Sequence, residues 1–262
     1  MWSYLWQNFL KDIKYKQYIL QEIKKSKEIL SRKNLIEIWP GKWAISKYLV
    51  KEFDNISFFE KDEKFKDIIE WIILNKNQKI IWWDILQSDL SWFDQNQTFV
   101  FGNIPYYITS PIFRKFFEQN KFAGWFFLIQ KEVWEKIKTD AKKKSYLRWI
   151  LNYSYDVKYK KTVPAKAFNP APKVDSRLVF LSKLSKSKNI DYESMMEFLD
   201  FTGRYKRKTV GKIRSILKKK WVYMYDINES IANKRLENLT WEDMEKILSN
   251  FKAGLSKLNI LK

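Results

Sequence analysis

Three polar side chains stand where the carboxyl ends of three buried strands are expected, and their types suit them to hold a nucleoside. Glu60, Asp84 and Asn103 each end or directly follow a predicted strand. Glu60 also lies 19 residues beyond Gly41, the spacing at which a carboxylate accepts hydrogen bonds from ribose hydroxyls. Asp84 can receive the exocyclic amine of an adenine. Each residue alone could equally cap a helix or form a turn, but their occurrence at successive strand ends favours nucleoside binding.

The elements that must position these side chains are strands that alternate with helices. We predict strands over residues 35–38, 55–60, 79–82, 98–101 and 124–130, and a late strand pair over residues 155–163 and 174–181. Alternation of this kind predicts an α/β fold with a mostly parallel sheet, and the late pair predicts an antiparallel edge. In such sheets ligands bind beyond the carboxyl ends of the strands, where the strand order reverses.

The alternation stops at a polar stretch over residues 182–189, after which the pattern is helical only. We therefore predict a nucleotide-binding catalytic domain over residues 1–183 and a small all-α domain over residues 184–262.

Composition restricts the chemistry and indicates a partner. The chain has no cysteine and no histidine, so disulfides, the usual zinc sites and histidine-based catalysis are excluded and no metal is expected. No apolar run is long enough to cross a membrane and no secretory signal is recognisable, so we expect a cytoplasmic protein without a membrane partner. A net charge of +20 indicates a polyanionic partner, although a generally lysine-rich proteome would give the same value.

The positive charge is concentrated in residues 202–220, which hold nine basic residues and no acidic residue. A solvent-exposed helix normally mixes acidic residues with basic ones, so this segment predicts a contact with nucleic-acid phosphates. The residues that we expect to make this contact are Arg204, Lys206, Arg207, Lys208, Lys212 and Arg214.

Glycine is scarce in this chain and tryptophan is abundant, with 6 and 13 residues. A chain of this length has roughly 18 glycines on average, so the excess of tryptophan nearly equals the deficit of glycine. Trp39 and Trp43 flank Gly41 where a G-x-G-x-G turn has glycines, and only a residue without Cβ fits such a turn easily. We hypothesise that the gene encodes glycine with UGA and that these codons were read as tryptophan, at Trp6 and Trp83 as well. The alternative is a tryptophan-rich protein with unusual turns.

Residues 103–106, Asn-Ile-Pro-Tyr, resemble the N-[LI]-P-Y signature of adenine-N6 methyltransferases that use S-adenosylmethionine. The residue types suit that reaction. The Asn103 side-chain oxygen and a backbone carbonyl held by Pro105 can accept hydrogen bonds from the two N–H groups of the target amine. Tyr106 offers a face on which a flipped-out adenine stacks. Because the donor is a sulfonium cation, positioning and electrostatics suffice without a strong base.

Further segments, in the same order along the chain, resemble the ribosomal RNA adenine dimethyltransferase family. They are SYLWQNFLKD, EIWPGKW, QKEVWEKI, AFNPAPKVDSRLVFL and GRYKRKTVGKI. The resemblance implies a Rossmann-like S-adenosylmethionine-dependent methyltransferase with a seven-stranded sheet. It implies cofactor contacts from Gln7, Asn8, Leu10, Glu37, Trp39, Gly41, Glu60, Asp84 and Asn103. It implies catalytic roles for Asn103, Ile104, Pro105, Tyr106 and Phe168, with Phe168 as a second aromatic wall around the base.

Three functions are compatible with this resemblance. We favour the small-subunit branch, which gives N6,N6-dimethyladenosine at two adjacent sites of 16S ribosomal RNA during ribosome biogenesis, acting as a monomer on the immature 30S subunit. The PKVDS and YKRKTVGKIRSIL segments favour it, whereas Ile104 and the pair Arg114-Lys115 favour the large-subunit, erythromycin-resistance type. A third possibility is a non-catalytic assembly factor, which real tryptophans at 39 and 43 would favour because both would crowd the cofactor's carboxylate end.

Overall fold

The computed structural model describes residues 8–30, 33–105, 108–119, 122–138, 146–184, 190–205, 207–219, 224 and 227–258. The chain divides into two compact units. The first unit comprises Met1–Glu135 and Tyr155–Lys183, and the second comprises Lys136–Ser154 and Leu184–Lys262. The assignment of catalysis to residues 1–183 and of RNA binding to residues 184–262 stays a prediction.

The strands, in chain order, are β1 (Phe9–Leu10), β2 (Asn34–Ile38), β3 (Asn55–Phe59), β4 (Gln78–Ile81), β5 (Thr98–Asn103), β6 (Gly124–Gln130), β7 (Tyr155–Val163), β8 (Phe168–Asn169) and β9 (Ser176–Lys183). Within the described residues, seven of them form one sheet in the order β4-β3-β2-β5-β6-β9-β7. Neighbours from β4 to β6 are parallel, and β9 and β7 are antiparallel to theirs. The predicted mostly parallel sheet with an antiparallel edge is confirmed. β1 and β8 pair separately with each other.

The strand order reverses at β2, which lies between β3 and β5. Ile38, the last residue of β2, pairs with Phe59 on one side and with Gly102 on the other. Trp39, Glu60 and Asn103 are the residues that directly follow these three, so they lie next to one another at the carboxyl ends of neighbouring strands. This is the switch point at which open α/β sheets bind their ligands.

The helices of the first unit are α1 (Ile13–Leu30), α2 (Ser46–Leu49), α3 (Lys66–Glu70), α4 (Thr109–Gln119) and most of α5 (Lys131–Ile137). The pattern of the sequence predicts helices over residues 44–53 and 62–74, and the observed α2 and α3 are shorter. Residues 41–45, directly before α2, form turns, and a 3-10 turn over Glu63–Phe65 precedes α3. Ile19 and Ile23 of α1 and Leu49 of α2 belong to the same apolar core as the sheet residues Phe58 and Phe126.

The second unit contains α6 (Tyr146–Ser154), α7 (Tyr192–Thr202), α8 (Val210–Lys218), α9 (Glu229–Ala232) and α10 (Trp241–Leu258). α6 belongs here rather than with the sheet because its aromatic side chains pack on this unit. The ring centroids of Trp149 and Trp241 are 4.8 Å apart, and those of Tyr153 and Tyr192 are 5.4 Å apart. The strand–helix alternation could not indicate this. No helix in the described part of the chain has both the length and the apolar character to span a membrane.

Candidate active site

The loop from β2 to α2 has a backbone that suits glycine at three alternate positions. Gly41 has a φ of 54°, and Trp39 and Trp43 have φ values of 50° and 59°. In the left-handed region a Cβ crowds the backbone at a cost of roughly 1–2 kcal/mol per residue. Among the described residues other than glycine, these two tryptophans are the ones with positive φ. The loop therefore has the backbone of a G-x-G-x-G turn.

Glu60 holds this loop from the neighbouring strand. Its carboxylate accepts hydrogen bonds from the backbone N–H of Gly41 at 3.1 Å and from those of Lys61 and Asp62 at 3.0 Å each. Burial raises the pKa of Glu60, and the three N–H donors oppose that rise. Glu60 is fully buried and does not line the cavity described next. Its contact with a ribose stays a prediction.

A cavity that is open to solvent lies beyond the carboxyl ends of β2 and β5. The predicted site residues that line it are Asn8, Leu10, Glu37, Trp39, Gly41, Asn103, Ile104 and Pro105. It is also lined by residues that we did not predict: Phe9, Pro40, Ala44, Ile45 and Phe101. Phe9 and Pro40 lie inside the QNFL and WPG segments, so those motifs could have indicated them.

Glu37 gives the cavity wall a carboxyl group with one uncommitted oxygen. The hydroxyl of Ser46 donates to Oε1 at 2.9 Å, whereas Oε2 is buried and has no hydrogen-bond partner among the described residues. Burial raises the pKa of Glu37 to about 8. A buried carboxyl oxygen without a partner is costly. A cationic group in the cavity would satisfy it, as the ammonium group of S-adenosylmethionine can.

Asn103 brings the predicted catalytic carboxamide into the cavity wall at the end of β5. Its Nδ2 donates to the backbone oxygen of Asn8 at 2.9 Å. Ile104 and Pro105, which follow it, also line the cavity. Tyr106 and Gln7 lie outside the described residues.

Phe168 and Asp84 are not among the residues that line the cavity. Phe168 is 1% exposed and belongs to the apolar core, so its role as a wall around a base stays a prediction. Asp84 accepts a hydrogen bond from the N–H of Leu86 at 3.0 Å, and its Oδ2 lies 3.6 Å from the Lys61 ammonium.

The two loop tryptophans have different surroundings. Trp39 lines the cavity, as expected of a side chain that would crowd a cofactor there. Trp43 does not line it. Its ring packs in the core with its centroid 4.9 Å from that of Phe58, and its Nε1 has no hydrogen-bond partner among the described residues. A buried indole N–H usually has one.

In the second unit the predicted RNA-contacting residues are displayed to solvent. Arg204, Arg207, Lys208, Lys212 and Arg214 are all at least partly exposed, and Lys206 lies outside the described residues. Thr209 caps α8 by accepting a hydrogen bond from the N–H of Lys212. The buried side of α8 carries Val210, Ile213 and Leu217, which leaves its basic side chains free of the core.

A parallel sheet with a glycine-type turn at its switch point, a carboxyl group in the cavity wall and an Asn-Ile-Pro segment beside it define a Rossmann-like S-adenosylmethionine-dependent methyltransferase. Known structures share this fold. The dimethyladenosine transferase from Plasmodium falciparum superposes with a TM-score of 0.74 at 22% identity, covering 94% of this chain and 98% of its own. The 23S rRNA methyltransferase ErmE superposes with a TM-score of 0.69 at 20% identity, covering 94% and 100%.

The sequence itself is similar to one family over almost its whole length. The family described as ribosomal RNA adenine dimethylase matches residues 3–252. A protein of Mycoplasmopsis pulmonis is 37% identical over 74% of this chain and 75% of its own length. A protein of Francisella tularensis subsp. novicida is 33% identical over 94% and 95%. Both are named ribosomal RNA small subunit methyltransferase A.

The chain therefore belongs to the ribosomal RNA adenine dimethylase family and is an enzyme of the S-adenosylmethionine-dependent methyltransferase class. The resemblance inferred from its motifs is confirmed. The names of the relatives also favour the small-subunit branch over the erythromycin-resistance type.

Proposed function

We propose that this protein transfers methyl groups from S-adenosylmethionine to N6 of adenosines in small-subunit (16S) ribosomal RNA, giving N6,N6-dimethyladenosine at two adjacent sites. The observation that carries the proposal is the position of Asn103, whose carboxamide lies in the wall of a cavity that Glu37, with its uncommitted oxygen, also lines. The names of the relatives support the choice of RNA. The partner is the immature 30S subunit, which the protein meets in the cytoplasm as a monomer.

The residues of this chain act by holding the cofactor and by orienting the target amine. When bound, S-adenosylmethionine would supply a methyl group on a sulfonium cation; transfer to the amine leaves the neutral thioether S-adenosylhomocysteine and releases one N–H proton to water, so neither a metal nor a strong base is needed. Glu37 pairs with the positive charge of the cofactor's ammonium group. Asn103 accepts one N–H of the target amine, and a backbone carbonyl in the Ile104–Pro105 segment accepts the other. The amine nitrogen is thereby aimed at the methyl group, and positioning supplies most of the rate enhancement.

The functional loop has glycine at positions 39 and 43 in this proposal, because the gene encodes glycine there with UGA. Positive φ at both positions supports this, as does the buried, unpartnered indole N–H of Trp43. The exposure of Trp83, at 58%, is unusual for so large an apolar side chain. Glycine at 39 removes an indole from the cavity wall, which widens the site where the cofactor lies.

The test is the product made by the chain with glycine at positions 39 and 43. Incubated with immature small subunits and S-adenosylmethionine, it should yield N6,N6-dimethyladenosine on nucleoside mass spectrometry, with the monomethyl form only transient. The Asn103→Ala variant should lose about a hundredfold in kcat, the effect of removing one group that stabilises a transition state, while cofactor affinity changes less. Methyl groups on cytosine, guanine or ribose, or full activity in Asn103→Ala, would contradict the proposal.

A further inference from the structure

A short segment near the amino terminus, residues 8–12, ties together parts of the site that are far apart in sequence. We call it the strap. Its β1 strand pairs with β8 in antiparallel register, Phe9 opposite Asn169 and Leu10 opposite Phe168. The N–H groups of Lys11 and Asp12 both donate to the carbonyl of Ala167, at 2.9 and 3.2 Å. The strap is therefore fixed by its backbone to the segment that carries Phe168.

One side chain of the strap packs against residues 39–45, the loop from β2 to α2, which we call the cofactor loop. A Cβ on Gly41 would lie 2.8 Å from Cε1 of Phe9, so the ring of Phe9 lies directly against that glycine. The Lys42 ammonium stands 4.9 Å from the centroid of the same ring. The ring of Phe65 meets it edge-on at 6.1 Å. The strap therefore contacts the loop as well as β8.

The strap also holds the catalytic carboxamide. Asn103 donates its Nδ2–H to the backbone oxygen of Asn8 at 2.9 Å, and both residues line the cavity. A primary amide has donors at one end and an acceptor at the other. Because the carbonyl of Asn8 accepts a hydrogen bond from the nitrogen end, the carboxamide is fixed with Oδ1 as the end left to accept a hydrogen bond from a substrate.

We propose that the strap is a positioning element for methyl transfer, in which the backbone carbonyl of Asn8 fixes the amide orientation of Asn103. Pairing of β1 with β8 brings this carbonyl, the cofactor loop and the Phe168 segment into one arrangement. The proposal rests on the proposed function, because it assigns the oxygen of Asn103 to the target amine. It explains why position 103 needs an amide, which donates and accepts, rather than an acceptor alone.

The Asn103→Asp variant tests the orientation step. An ionised carboxylate keeps the acceptor for the amine but cannot donate to the Asn8 carbonyl, and it repels that oxygen. At pH 7.5 we expect kcat to fall by about tenfold or more, the usual consequence of an unpaired polar contact. A protonated aspartic acid donates again, so the ratio of variant to parent kcat should rise as the pH is lowered towards about 5.5. Activity equal to the parent at pH 7.5, or a ratio that does not change with pH, would overturn the proposal.

The Lys11→Pro variant tests the anchoring of the strap, with Lys11→Ala as the matched control. Proline removes the N–H that donates to Ala167, and Leu10, already in a strand, has the extended backbone that a following proline requires. The Lys11 side chain is exposed, so alanine should leave activity unchanged. We expect Lys11→Pro alone to lower kcat and to speed hydrogen exchange at residues 9, 10 and 12. Unchanged kcat in a folded Lys11→Pro protein would overturn the proposal.

These outcomes are separable from a failure of the proposed function. Both variants are made in the chain with glycine at positions 39 and 43, which is the parent in these tests. If this parent makes no N6-methylated adenosine, the proposed function fails before either variant is measured. If the parent is active and the Asn103→Asp and Lys11→Pro variants behave like it, the strap alone is wrong.

Discussion

The ionisation of Glu37, in the cavity wall, makes the stability of the folded protein depend on pH. Its pKa is 4.5 in an ordinary environment, and burial raises it to about 8 in the folded protein. Below about pH 4.5 both the folded and the unfolded chain carry the neutral acid. As the pH rises further, the unfolded chain gains by ionising while the folded chain does not, so stability falls until the pH passes about 8.

Replacing Glu37 with glutamine should flatten that dependence. Between pH 5 and pH 8 without cofactor, we expect the drop in Tm to be at least about 3 °C larger in the parent than in Glu37→Gln, since 1 kcal/mol shifts Tm by roughly 2–4 °C at this size. Thermal unfolding followed by circular dichroism measures both slopes. Saturating S-adenosylmethionine should reduce the difference, because its cation lets Glu37 ionise. Parallel slopes in the absence of cofactor would show that Glu37 does not titrate in this range.

At Trp39 and Trp43 two effects on the stability of the folded protein oppose each other: backbone strain destabilises it, and packing of the indole rings stabilises it. A left-handed backbone costs roughly 1–2 kcal/mol at each residue. Removing a buried indole such as Trp43 costs about 3–5 kcal/mol if nothing fills the space. Stability therefore does not discriminate between tryptophan and glycine at these positions, whereas cofactor affinity does.

We expect Trp39→Gly/Trp43→Gly to bind S-adenosylmethionine at least about tenfold more tightly than the tryptophan chain, equivalent to about 1.4 kcal/mol, because an indole leaves the cavity wall. Titration calorimetry measures both affinities. Trp71→Gly is a suitable control, since Trp71 is 88% exposed and does not line the cavity. Equal affinities of the double variant and the parent would argue for real tryptophans. The gene should carry UGA at positions 6, 39, 43 and 83, and UGG at 39 and 43 would exclude glycine there.

The secondary-structure elements were predictable where one local pattern determined them. The strands of the sheet are buried apolar runs, and their alternation with helices predicts a mostly parallel sheet, so the carboxyl-end placement of Glu60, Asp84 and Asn103 could be inferred. The lengths of α2 and α3 could not, because turns at each helix start replace part of the predicted helix. α6 was also beyond reach, since the contacts of Trp149 and Tyr153 decide which unit it joins.

The residues of the cavity also divide into those that a local motif predicts and those that only the fold brings together. Motifs predicted eight of its lining residues, because each motif is a continuous segment that the fold brings to the strand ends. The bond from Asn103 to Asn8 spans 95 positions in the sequence, and the pairing of β1 with β8 joins segments still further apart. Nothing in the local pattern of either segment specifies that partner. Phe168 is 1% exposed, and its role as a wall around the base stays a prediction.

For the whole molecule, net charge matters less than where the charge is displayed. The chain carries +20, but several of its lysines lie next to carboxylates, as Lys160 does beside Glu22 at 2.9 Å and Lys24 beside Glu52 at 2.6 Å. The described basic residues between 204 and 214 reach solvent, and the segment has no acidic residue. Binding to phosphates releases counterions, so this segment should account for a distinct part of the salt dependence of RNA binding.

Reversing Arg207 and Lys208 to glutamate should therefore weaken binding to ribosomal RNA at all sites alike and lower the slope of log K against log salt. The slope should fall by roughly 0.7–0.9 for each phosphate that the variant no longer neutralises, as measured by fluorescence anisotropy between about 50 and 200 mM salt. Lys76→Glu/Lys79→Glu makes the same change of charge at exposed positions near the amino end of β4, away from the carboxyl ends where the cavity lies. If the long-range field of the protein attracted the RNA, both double variants would lose affinity equally. If the exposed basic segment binds phosphates, only the first variant shows the smaller slope, and S-adenosylmethionine affinity stays unchanged in both because neither pair lines the cavity.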